Sequence, residues 1–89
     1  MILNIEIPDS DENFVSAWEP GFKISTQVFT SPKEGQTIII QSNNEGLLSL
    51  ARFLLMLAQS NVAIGKHYHF DEFNSLDEGS VDLVIDKIG

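Results

Sequence analysis

"NNEGLLSLARFLLMLAQSN", residues 43–61, decides the architecture. From Leu47 to Asn61 it contains neither proline nor glycine. Asn43 or Asn44 can cap its start, and Glu45 falls in the first turn, where a carboxylate complements the helix dipole. Placed at roughly 100° per residue, Leu47, Leu48, Leu50, Ala51, Phe53, Leu54, Leu55, Leu57 and Ala58 fill an arc of about 220°. Ser49, Arg52, Met56 and Gln59 take the remainder. Leu54, near the centre of the arc, is expected in the core, and Met56 toward solvent. The arc is wider than packing on one sheet requires, so a second cover is expected: the loop carrying Phe14 and Trp18, or another subunit.

Upstream of the helix the pattern is β. In "FKISTQVFT", residues 22–30, Phe22, Ile24 and Val28 alternate with Lys23, Ser25 and Gln27, which predicts a strand with one wet side. "SPKEG", residues 31–35, is turn chemistry, since Pro32 presets φ and Gly35 accepts a positive one. "QTIIIQS", residues 36–42, is β-branched and completes a hairpin. Further out, "ILNIEI", residues 2–7, alternates as a short strand stopped by Pro8, and an acidic loop with Phe14, Val15 and Trp18 as anchors follows.

Downstream, Gly65 opens the strand "KHYHF", residues 66–70, and "SVDLVIDKI", residues 80–88, sets Val81, Leu83 and Ile85 against Asp82, Val84 and Asp86. The predicted fold is α+β in the order βββαββ. A small, mostly antiparallel sheet of about five strands carries one α-helix across one face. At 89 residues and 43% hydrophobic the chain is read as a single domain, 1–89.

Thirteen acids against five Lys and Arg residues give a formal charge of −8. Such a field repels nucleic-acid phosphates and anionic membrane surfaces, so neither is expected as a direct partner. There is no cysteine, which excludes disulfides and thiolate metal sites. The start, "MILNIEIPDSDE", lacks a basic leader region, and Ser49, Arg52 and Gln59 interrupt the longest apolar run. A cytoplasmic protein is therefore expected.

The candidate chemistry lies in "GKHYHFDEFNSLDEG", residues 65–79. If Tyr68 and Phe70 point inward, His67, His69 and Asp71 share the opposite face. Two imidazoles and a carboxylate are chemically able to hold zinc or non-haem iron, or to act as an acid/base group. No third histidine or cysteine completes such a set, and neither a nucleophile elbow nor a glycine-rich phosphate loop is present. The expectation is no metal, no cofactor and no catalysis. The remaining acids, Asp9–Glu12, Asp71, Glu72, Asp77 and Glu78, suit a basic partner or serve solubility.

Residues 43–88 resemble the second half of the bacterial polymorphic-toxin immunity protein 32 family. The likeness rests on Glu45, Gly46 and Leu47 leading into a Leu/Ala helix with Leu50 and Ala51, a short link to the His67-x-His69 strand, an acidic turn, and the closing "VDLVI". The resemblance implies a protein that binds and neutralises a cognate toxin without catalysis. It brings no catalytic residues, and attaches no role to His67 and His69. The charge suggests a basic toxin, of the kind that acts on nucleic acid. The expected partner surface is His67, His69, Asp71, Glu72, Asp77 and Glu78. Two other readings remain open: a small metal-dependent or acid/base enzyme using His67, His69 and Asp71, and a homo-oligomeric domain, such as a homodimer, joined through the broad helix face.

Overall fold

A computed structural model describes residues 17–89. The strand expected over residues 2–7, the anchors Phe14 and Val15, and the acids Asp9–Glu12 lie outside the described residues. The described elements are β1 (Ile24–Ser31), β2 (Gly35–Ser42), α1 (Asn44–Ala58), β3 (His67–Phe70) and β4 (Leu83–Asp86).

β1 and β2 form the expected antiparallel hairpin, with Val28 opposite Ile38 and Ser31 opposite Gly35. Its turn closes as the residues dictate: Gly35 takes φ 77°, and the Ser31 hydroxyl accepts the N–H groups of Lys33 and Glu34. β3 and β4 form a second antiparallel pair, with His67 opposite Asp86 and Tyr68 opposite Ile85.

The α+β class and antiparallel pairing stand, but the single sheet of about five strands does not. The described strands make two separate two-stranded sheets. Residues 77–81 supply the reason. This segment reaches the free side of β1 at two points, Asp77 N–H to the Ile24 carbonyl at 2.8 Å and Val81 N–H to the Thr26 carbonyl at 3.1 Å. Between them the chain turns back on itself, with Gly79 at φ 89° and Ser80 N–H bonded to the Asp77 carbonyl at 3.1 Å. A turn between two anchor points satisfies the edge of β1 without offering it a ladder.

Asn43 is the residue that caps α1. Its Oδ1 accepts Gly46 N–H at 3.0 Å and Lys23 N–H at 2.9 Å, and its Nδ2 donates to the Gly21 carbonyl at 2.9 Å. One side chain therefore holds both the helix start and the approach to β1. Gly46 is required by proximity, because a Cβ there would lie 2.0 Å from Ser42 Oγ and 2.9 Å from the Lys23 carbonyl oxygen. The helix ends at Ala58, earlier than the pattern to Asn61 suggests. At that end the Lys87 ammonium donates to the Gln59 carbonyl at 2.6 Å, supplying the positive charge that the last turn lacks.

The buried residues of α1 are Gly46, Ser49, Phe53, Met56 and Leu57, spaced as one helical face. This corrects the expected rotation of the helix. Met56 is 1% exposed and Leu54 44%. The side bearing Ser49, Arg52 and Met56 receives the segment around Trp18 and Glu19. Glu19 N–H donates to Ser49 Oγ at 2.9 Å, and that hydroxyl donates on to the Glu45 carbonyl. Arg52 meets Glu19 at 3.1 Å. Trp18 packs edge-on to Phe53 at 4.9 Å and to Phe70 at 5.3 Å, so the Trp18 segment covers this side of α1 and not the leucine arc it was expected to cover, whose Leu47, Leu48, Leu54 and Leu55 stay exposed. Ile24, Phe53, Met56, Leu57, Val62, Tyr68, Phe70 and Leu76 form the core.

Candidate partner-binding surface

Alternation along β3 sorts its four side chains. Tyr68 and Phe70 are buried and stack at 5.7 Å, while His67 and His69 face outward. Burial of Tyr68 removes water from its phenol and raises its pKa above 10.0.

Strand register then decides what the histidines meet. Asp86 stands opposite His67, its carboxylate 3.8 Å from Nδ1. Asp82, diagonal to His69, lies 3.0 Å from its Nε2. All four side chains are about half exposed, where such pairs contribute about 0 to 1 kcal/mol. The outward face of this pair of strands is thus a ladder of two imidazoles and two carboxylates flanking Val84.

Asp71 does not complete that ladder. It follows the end of β3, and its Oδ1 accepts Phe73 N–H at 2.9 Å and Asn74 N–H at 3.0 Å. Its carbonyl accepts Ser75 and Leu76 N–H, and Asn74 Nδ2 donates to the His69 carbonyl at 2.8 Å. Asp71 is therefore a turn-former that fixes the start of the acidic connection. Buried Leu76 pins the middle of the connection. Glu72, Asp77 and Glu78 are exposed along it.

No group of three or more His, Asp or Glu residues placed to hold a metal ion occurs among the described residues. A shallow hollow beside His67 is lined by Ala63, Ile64, Gly65 and Lys66, none of them a carboxylate. What the surface offers is charge and shape.

Sequence reasoning missed three contributors. Asp82 and Asp86 are visible in "VDLVID" as alternating acids, but only register assigns each its histidine. The third is Phe73, which is 98% exposed in the middle of the acidic connection while its own N–H is held by Asp71. An aromatic ring displayed on a hydrogen-bonded turn is the kind of group that anchors protein interfaces. The signal was its place between Glu72 and Asn74, where no apolar periodicity requires a Phe.

No described helix is long and apolar enough to cross a membrane. The sequence model of one family, immunity protein 32, matches residues 37–88, more than half of the chain. No curated protein and no solved structure matches it.

Proposed function

The chain belongs to the immunity protein 32 family, and from that premise we propose that it neutralises a cognate bacterial toxin by binding it, without catalysis. The family match is the observation that carries this reading. In it, the 89 residues act as one domain in the cytoplasm of the producing bacterium, and the inhibitor works by covering the toxin's active surface.

The contact surface proposed is the acidic connection with the adjoining outward face of β3. Glu72, Asp77 and Glu78 give it negative charge, Phe73 an apolar anchor, and His67 and His69 with their carboxylates a polar rim. A net charge of −8 favours a basic toxin, since complementary fields accelerate encounter and exclude partners of like charge. A toxin that grips nucleic-acid phosphates has that character.

Co-expression with the cognate toxin, sought among the genes that neighbour its own, tests the proposal. The expected result is rescue of growth together with a purified complex of the two chains. Rescue without a complex, or a complex whose toxin stays active, would refute inhibition by binding.

A further inference from the structure

The face of α1 turned away from the core is apolar. Leu47, Leu48, Leu54 and Leu55 are 51%, 41%, 44% and 41% exposed. Ala58 is exposed and Ala51 half-buried between them. Leu47, Ala51, Leu54 and Ala58 follow the four-three-four spacing that keeps side chains on one seam of a helix. The seam is about 16 Å long at 1.5 Å per residue. None of these six side chains bears a charge, so the seam offers nothing specific to a basic toxin.

It does complement itself. When two copies of α1 lie antiparallel about a two-fold axis level with residues 52 and 53, Leu47 faces Ala58 of the second copy, and Ala51 faces Leu54. Every large side chain of the seam then meets a small one, which lets two helices approach closely without voids. We propose that α1 is the contact surface of a homodimer in which these seams pack antiparallel in that register. The proposal is independent of toxin binding.

Area and charge set the strength of the association. The hollow beside Leu54, Leu57 and Ala58 continues over Ile85, Asp86, Lys87 and Gly89, and Ile88 beyond it is 88% exposed. With these flanks each copy contributes on the order of 500 Å², so a pair buries about 1,000 Å², the lower bound of specific interfaces and consistent with a weak dimer. Two copies of net charge −8 repel one another, so an apolar contact between them tightens as added salt screens that repulsion.

Sedimentation velocity of the full chain from about 5 to about 500 µM tests this over the range expected of a weak dimer. The expected result is a monomer–dimer equilibrium that shifts toward dimer in higher salt. Leu54→Lys, at an exposed position, keeps the circular dichroism of the parent and weakens dimerisation at least about tenfold. Ala51→Leu sets leucine against leucine and also weakens it. The double variant Ala51→Leu, Leu54→Ala restores a large side chain facing a small one, and recovers the parent affinity within about threefold. A monomer at every concentration overturns the proposal, and shows that the seam is covered by another part of the chain or reserved for a different partner. A dimer indifferent to Leu54→Lys, or one that the double variant fails to recover, overturns it equally.

Discussion

The Ser80 hydroxyl accepts the backbone N–H of Thr26 at 3.1 Å across 54 residues of sequence. The Thr26 hydroxyl donates in turn to the Val81 carbonyl. Both residues are buried, Thr26 at 2% and Ser80 at 8% exposure. This reciprocal stitch joins the first hairpin to the segment leading into β4, in place of a continuous ladder between the two sheets.

Ser80→Ala leaves the buried Thr26 N–H without its partner and is expected to cost about 1 to 3 kcal/mol in urea unfolding. Ser60→Ala, at an exposed position, should change stability by less than about 0.5 kcal/mol. Equal effects of the two substitutions would remove the stitch from the account of stability.

Gly46→Ala places a methyl group against Ser42 Oγ and the Lys23 carbonyl oxygen. Ser42 loses its bond to that carbonyl, and the backbone must shift. The expected loss is roughly 1 to 3 kcal/mol, despite the advantage of about 1 kcal/mol that alanine holds over glycine inside a helix. Thermal denaturation measures it, and a raised Tm would show that the approach of Lys23 is looser than 2.9 Å.

Met56 and Leu54 exchange the roles that helical periodicity assigns them. At concentrations too low for self-association, Met56→Ala should lose about 2 to 5 kcal/mol, and Leu54→Ala about 0.5 kcal/mol or less. The reverse order in chemical denaturation would mean that α1 is rotated about its axis relative to the arrangement described.

Recognition through the acidic connection predicts a split between rates. Replacing Glu72, Asp77 and Glu78 by Gln, Asn and Gln leaves the Asp71 turn intact. Association with the cognate toxin should slow, by a margin that shrinks as salt rises. Phe73→Ala should instead speed dissociation by about tenfold or more while association changes little. Stopped-flow measurements at two salt concentrations check both, and a triple variant as fast as the parent at low salt would remove these acids from the recognition surface.

The raised pKa of Tyr68 carries a sign. In the unfolded chain the phenol ionises near 10.0, whereas the folded protein holds its proton to higher pH. Above that value the unfolded state therefore binds fewer protons, and stability falls as pH rises. Tyr68→Phe should flatten this fall as pH rises above 10.0, as followed by urea midpoints. An unchanged slope would assign the alkaline loss to other groups.

Local chemistry was legible in the residues themselves. Asn43 caps because its short amide reaches the first helical N–H groups, Gly35 turns because it tolerates a positive φ, and Tyr68 and Phe70 point inward because a strand alternates. The order of motifs likewise indicated the family, but the site was only half readable. Asp71 looked like a partner of the histidines, whereas its own turn claims its carboxylate, and strand register hands His67 to Asp86 and His69 to Asp82. The rotation of α1 was beyond the sequence, since periodicity turns the centre of the leucine arc, Leu54, toward the core, and only tertiary contacts turn it away. A bond from Glu19 to Ser49 and the packing of Trp18 on Phe53 select the face, bringing Met56 in and leaving Leu54 out. The division into two sheets has the same origin. Backbone hydrogen bonding is indifferent to residue type, so only the three-dimensional path of residues 77–81, turning at Gly79 against β1, determines that no ladder joins the described strands into one sheet.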